Sequence, residues 1–472
     1  MLFNSFSYFV FFALTLAVYW AVRGQRTRLW VLLIASLVFY GSWSPIFLCL
    51  LFVTIGIDFW VAKRLYALGD DKRRKRLYLV LSLCGNLGIL AVFKYSDFFL
   101  QNVSWVARLS GLTDWVPKPL GIVLPLGISF YTFLSLGYII DVYRRNAKPI
   151  ESFLVFSVFL MFFPHLIAGP ILRAAEFSPQ LQTPRWVDQN RIYAGASRIG
   201  IGLIKKVLIA DWLAAVVEPV FSNPHLFDGR SHLIALYAYA FQILFDFAGY
   251  CDIAIGSALL LGYELPENFR SPYFSRSITE FWRRWHMTLS SWLRDYLYIS
   301  LGGNRGGAWK TYRNLALTML LGGLWHGASW NFVIWGGLHG LYLAVHRAFG
   351  GTRPARDLEG LSFTNAWRTW LTFNLVCFAW IFFRAQHFDQ AWAVLTGIGS
   401  LTASLWGWAL LLGASPLALG TYALASWLRG RLQAWMPTGP RAQLAYGGLW
   451  GVLGLALALA AAPGAEFIYF QF

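Results

Sequence analysis

Thr318–Gly340 reads TMLLGGLWHGASWNFVIWGGLHG. Most of it suits hydrocarbon, yet it holds His326, Asn331 and His339, and it seats His326 between Trp325 and Gly327. A histidine facing lipid is costly, so polar residues inside membrane spans face a bundle interior or a water-filled cavity. Gly322, Gly323 and Gly327 are small residues that let helices approach closely. The stretch therefore predicts two membrane helices with a break near Gly327, and a titratable ring at the break turned towards protein. For His339 and His346, hydrogen-bonded packing is the plainer reading.

The surrounding chain fits that setting. Of 472 residues, 57% are hydrophobic and 13% charged, against about 25% charged in soluble domains. Apolar runs fall at about 2–22, 29–40, 45–62, 77–94, 120–140, 152–169, 194–217, 233–262, 314–347, 367–383, 391–413 and 443–462. They predict an all-α integral membrane protein with roughly 11 spans plus re-entrant or interfacial helices. A bend is expected at Gly249. A transmembrane β-barrel needs alternating segments of about 10 residues, and none is present. The net charge of +17 does not indicate nucleic acid, because the basic residues sit in short loops between apolar runs, where they meet anionic headgroups. Cys49, Cys84, Cys251 and Cys377 lie in apolar stretches without a CxxC pair, so neither a disulfide framework nor a zinc site is expected. The N-terminus lacks the basic region and small-residue cleavage site of a signal peptide and reads as a retained first span.

The basic loops orient the chain. RGQRTR (23–28) and KRLYALGDDKRRKR (63–76) share one side if the runs between them form a hairpin, and YRRNAK (143–148) joins them after two more crossings. The positive-inside rule places all three in the cytoplasm and Met1 outside. The chain is expected to be multi-pass, with membrane lipids as its surroundings.

Two further stretches carry chemistry. In 263–313, Ser277 and Glu280 form a capping-box pattern ahead of an amphipathic helix. At about 100° per residue, Trp282, Trp285, Leu289, Trp292, Leu293 and Tyr296 share a face. Arg283, Arg284, Ser291, Arg294 and Asp295 occupy the rest, and His286 lies at the margin. Membrane-surface binding accounts for the arginines and tryptophans but not for His286. GGNRGG (302–307), with Arg305, supplies a flexible turn. In FDFAGYCDIAIG (245–256), Asp246 and Asp252 lie inside an apolar run and need partners or water; an Arg or a hydroxyl is the expected partner. His165 is expected to shape a loop at a span end. The sequence has no HxxxH or HExxH spacing, so no metal site is expected, and it has neither a GxSxG elbow nor a P-loop.

FWRRWHMTLSSWLRDYLYISLGGNR (281–305) and GGLWHGASWNFVIWGGLHG (322–340) resemble the membrane-bound O-acyltransferase family, as do FDFAGYCDIAIG and PLGISFYTF (125–133). So do the opening FNSFSYFVFF and LLIASLVFYGSWSP. The resemblance covers nearly the whole chain and weakens after about residue 385. It is greatest to the bacterial branch that O-acetylates exported polysaccharides, alginate among them; the teichoic acid D-alanyl transferases are more distant. It implies a ring of helices around a central funnel, as one membrane domain over 1–472: N-terminal helices 1–262, a catalytic core 263–347 and C-terminal helices 348–472. It implies His326 as the catalytic histidine and His286 as the second family position, which is Asn in many eukaryotic members. It implies an acyl thioester such as acetyl-CoA, arriving from the cytoplasmic side as substrate, with no permanently bound cofactor. The acceptor is the polysaccharide or periplasmic acetyltransferase- or esterase-like partner proteins; nucleic acid is not a partner.

Acyl transfer to a hydroxyl needs a base, an activated acyl group and donors for the developing oxyanion. His326 suits the first role, since a neutral imidazole takes a proton near pH 7. His286 either donates a hydrogen bond to the thioester oxygen or orients the acceptor. Trp325, Asn331, His339, Asp246 and Asp252 are candidate lining residues of the substrate tunnel. Arg283, Arg284 and Arg305 are candidates for the phosphates of coenzyme A. Two other readings stay open: D-alanyl transfer from a carrier protein, and a proton-coupled transporter relaying through His286, His326, Asp246 and Asp252. Transporters commonly carry internal repeats, and none is evident here.

Overall fold

The computed structural model describes residues 1–112, 116–167, 169–350 and 363–434, with Gly439, Val452, Ala456 and Phe467. Among the described residues every regular element is helical. Among the described residues four helices are long and apolar enough to cross a membrane: Ile46–Ala67, Lys72–Leu109, Gly229–Leu260 and Leu405–Leu424. Phe6–Ala21 is apolar but shorter.

The count of about 11 spans is thus met only in part, because several apolar runs are cut short. The 120–140 run becomes a helix only from Ile128 to Arg144. Pro125 precedes it, and Gly127 turns into it with φ 71°. The 152–169 run is helical only over Phe153–Met161; Pro164 lacks an N–H and forces the preceding residue out of the helical region. The 391–413 run is divided between Phe388–Ser400 and the helix starting at Leu405. The expected span at 443–462 lies outside the described residues, Val452 and Ala456 apart. The helix is not broken at Gly249 and runs from Gly229 to Leu260. That glycine instead permits close approach: a Cβ there would lie 2.7 Å from the carbonyl oxygen of Gly202.

The chain packs as two compact units, one of Met1–Ile201, Tyr250–Pro266 and Gly447–Ala461, the other of Gly202–Gly249, Glu267–Tyr446 and Ala462–Phe472. In the first, the Phe6–Ala21 helix is tied to the 250–266 segment by polar contacts, two of them buried. Tyr8 Oη meets Ser257 Oγ at 2.8 Å, Tyr19 donates to Tyr263 at 3.1 Å, and the Trp20 indole donates to the Leu260 carbonyl at 3.1 Å. Asp58, fully buried on Ile46–Ala67, accepts from Ser82 Oγ at 2.6 Å, from Asn86 Nδ2 at 2.9 Å and from Ser135 Oγ. One carboxyl so joins three helices through neutral donors.

The second unit is built on aromatic packing. Trp335 stacks on Trp380 at 5.8 Å between ring centres, and Trp285 lies 5.0 Å from Trp380. Within it, Ala308–His326 and Trp330–Ala348 form the expected pair of helices around a break. Gly327 is extended there, with φ −162° and ψ 151°. Ser329 caps the second helix by accepting from the Asn331 N–H at 3.3 Å. The glycines set the spacing: a Cβ on Gly323 would sit 2.2 Å from the Phe332 carbonyl oxygen, and one on Gly336 2.3 Å from that of Met319.

The single amphipathic helix expected after Ser277 is broken. Ile278–Arg284 and Met287–Trp292 are separate helices, with a wider π-type turn over Leu293–Tyr298. His286 at the break is left-handed, φ 41° and ψ 56°. Ser277 does cap the first piece, accepting from the Glu280 N–H at 3.2 Å. Glu280, however, takes the N–H of Arg276 at 2.9 Å, so the capping box is half formed. Neither piece is long enough to cross a membrane.

Candidate active site

His326 is the last residue of its helix, where the chain leaves for Gly327 and the ring is no longer confined by a following turn. It is 6% exposed. Its ring lies 4.9 Å from Trp325, 5.0 Å from Trp335 and 5.1 Å from Phe383, all near edge-on. A Cβ on Gly327 would overlap the Phe332 ring at 2.1 Å, so the residue after His326 must be small for the aromatic wall to close.

His286 is fully buried. Its Nδ1 lies 3.1 Å from Asn268 Oδ1, and its ring meets Phe247 edge-on at 4.7 Å and Trp325 at 6.5 Å. Burial pushes its pKa down to about 3, because desolvation penalises the charged form, and the ring is neutral at ordinary pH. Trp325 thus touches both histidines, and the two that sequence patterns singled out, 40 residues apart in the chain, belong to one aromatic cluster.

The other candidates divide. His339 is buried among Trp335 at 4.9 Å, Trp282 at 5.1 Å, Tyr342 at 5.8 Å and Phe281 at 6.0 Å. Trp335 links it to His326. Among the described residues neither of its ring nitrogens has a hydrogen-bond partner, so it is not the hydrogen-bonded packing residue of the plainer reading. Asn331 is buried and donates to the Ala385 carbonyl at 2.8 Å, which fastens the start of its helix to the chain beyond Phe383. Asp246 pairs with Lys206 Nζ at 2.6 Å, and Asp211 meets the same ammonium at 2.8 Å. Asp252 lies in the first unit and pairs with Arg198 Nε at 2.7 Å. The expected arginine partner is found for Asp252, whereas Asp246 is held by a lysine rather than by an Arg or a hydroxyl. Arg284 is held by Glu280 at 2.8 Å, whereas Arg283 and Arg305 are exposed.

Sequence reasoning missed Asn268, Lys206, Arg198, Trp335 and Phe383. A signal existed for the cations: Lys206 and Arg198 interrupt the apolar run 194–217 and had to be matched by acids. No pattern announced Asn268, which precedes its partner by 18 positions in an irregular loop.

The chain is similar to known proteins along most of its length. The family model for membrane-bound O-acyltransferases matches residues 143–385, which include both histidines. The probable alginate O-acetylase AlgI of Pseudomonas aeruginosa is 44% identical over 384 residues, 81% of this chain and 72% of that protein. The peptidoglycan O-acetyltransferase of Helicobacter pylori is 40% identical over 404 residues, covering 79% and 74% of the two chains. The teichoic acid D-alanyltransferase of Streptococcus thermophilus is 31% identical over 333 residues, covering 62% and 79%.

Proposed function

The chain belongs to the membrane-bound O-acyltransferase family, and from that premise we propose that it is a membrane-embedded O-acetyltransferase serving the O-acetylation of an exported polysaccharide. The relatives named for alginate and peptidoglycan acetylation support the acetyl group and the polymer class. The observation that carries the reading is the buried histidine pair, His286 and His326, joined through Trp325. The transporter reading loses its ground, since the family is one of acyltransferases and two of the four groups in its relay are held in ion pairs.

His326 removes the proton as an acceptor hydroxyl attacks the thioester carbonyl; the C–O bond forms, the C–S bond breaks, and the proton passes to the departing thiolate. The aromatic walls exclude water, which strengthens polar interactions at the reacting carbonyl. The donor is acetyl-CoA or another acyl thioester reaching the site from the cytoplasmic side, with Arg283 and Arg305 as the exposed cations for its phosphates. The polymer, or periplasmic acetyltransferase- or esterase-like partners, receives the acetyl group. A ring of about 11 spans around a funnel, forming one domain in an inner membrane, is the architecture this reading carries.

The test uses the full chain in lipid nanodiscs, labelled acetyl-CoA and, as competitor, a labelled D-alanyl carrier protein. Label should leave acetyl-CoA, and His326→Gln should insert normally yet transfer about 10²–10⁴-fold more slowly. Wild-type rates in that variant would remove His326 from the role of base. Transfer from the D-alanyl carrier alone would replace acetylation with the D-alanyl reading.

A further inference from the structure

Asn268 is 1% exposed and lies in the irregular loop after the Gly229–Leu260 helix. Its Oδ1 faces three groups of the broken segment: His286 Nδ1 at 3.1 Å, the Thr288 backbone N–H at 3.2 Å and the Thr288 hydroxyl at 3.0 Å. Its backbone carbonyl accepts from the Met287 N–H at 2.9 Å. The same loop holds the preceding helix, where the Arg270 N–H donates to the Arg284 carbonyl at 2.9 Å. Left-handed backbone is uncommon for a residue other than glycine and persists where the surroundings over-determine it. Here one asparagine supplies those surroundings.

The bonds also decide a proton position. A backbone N–H can only donate, so the atom of Asn268 that faces Thr288 N must be the oxygen and not the amide nitrogen. An amide oxygen can only accept, so His286 Nδ1 must carry a hydrogen. In a neutral imidazole that leaves the lone pair on Nε2. The opposite tautomer would set two lone pairs against each other.

We propose that Asn268 is a positioning residue that holds His286 as its Nδ1–H tautomer, so that Nε2 meets the acceptor hydroxyl as a hydrogen-bond acceptor and cannot donate to the thioester oxygen. The proposal rests on the acyl-transfer reading for its purpose, but not for its geometry. Of the two roles open to His286, orienting the acceptor is the one this tautomer allows. Phe247 from the long helix, Asn268 and Phe269 from the loop, Thr288 and Trp325 face His286. None is ionisable at ordinary pH, so nothing among them favours a charged ring.

The test is solid-state nitrogen NMR of the full chain labelled with ¹⁵N-histidine in lipid bilayers, with the His286 signals identified by their loss in His286→Gln. Between about pH 5 and pH 8, Nδ1 should give the protonated, pyrrole-type signal and Nε2 the bare, pyridine-type signal. The reverse pattern in the unmodified protein would overturn the proposal whether or not acetyl transfer is found. Failure of acetyl transfer with the expected spectrum would overturn the function and leave the tautomer standing. Asn268→Asp keeps the acceptor and adds a charge. It should retain the tautomer and raise the pH at which Nε2 takes a proton by about one unit or more, with the acid limb of the transfer rate following. An unmoved limb would show that Asn268 acts only in folding.

Discussion

His286 and His326 are buried for different reasons, and the difference predicts how each tolerates change. His326 ends a helix in ordinary backbone, so His326→Gln alters chemistry alone. His286 sits in the left-handed region, where asparagine is accommodated far better than a β-branched residue. His286→Asn should therefore reach the membrane at normal levels and lose less transfer than His326→Gln. His286→Val should lower the amount of inserted protein before any question of rate arises. Immunoblots of membranes, paired with polymer acetate normalised to protein, separate the two outcomes; normal levels of the Val variant would show that the left-handed turn is not demanding. Both histidines stood out in the sequence through Trp and Gly neighbours and family resemblance. The tautomer of His286 was not, because an asparagine in an irregular loop has no periodic signature.

At the scale of elements, the site depends on how closely two helices approach. Gly336 faces the Met319 carbonyl, where a Cβ would lie at 2.3 Å, whereas a Cβ at neighbouring Gly337 would meet only Leu320 Cδ2 at 3.6 Å. Gly336→Ala must push the helices apart, at a cost of about 1–3 kcal/mol for overpacking, and it displaces His326 against Trp335. Gly337→Ala adds an ordinary contact. Thermal unfolding in detergent should show a lowered midpoint for the first and little change for the second, and transfer activity should fall in the same order. Equal behaviour of the two would contradict the close approach. The glycine-rich pattern foretold this pairing, but it did not say which glycine met a carbonyl. The amphipathic stretch after Ser277 shows the converse: its spacing described one helix, and the hydrogen bonds from Asn268 imposed a break. Periodicity records which side chains are buried, and His286 is buried; it does not record a turn that a distant residue holds in place.

For the whole molecule, the basic loops at 23–28, 63–76 and 143–148 predict that residue 70 lies in the cytoplasm and Met1 outside. A reporter fused at residue 70 should be active if it requires the cytoplasm and silent if it requires the periplasm; the reverse would invert the chain. Composition and apolar runs were enough to identify a helical membrane protein, since lipid leaves the backbone no other way to satisfy its hydrogen bonds without a closed barrel. The residues of the site were likewise legible, because a histidine or an aspartate in an apolar run stands out against its surroundings. Span lengths were not. Pro164 follows the early end of one helix and the turn at Gly127 delays the start of another, inside runs that hydropathy reads as continuous, and hydropathy sums side chains without asking whether each backbone N–H has a partner. Nor could the sequence pair Asp246 with Lys206, Asp252 with Arg198 or His286 with Asn268. Those pairings depend on which buried polar groups come within hydrogen-bond distance, and distance between residues far apart in the chain exists only once the helices have packed.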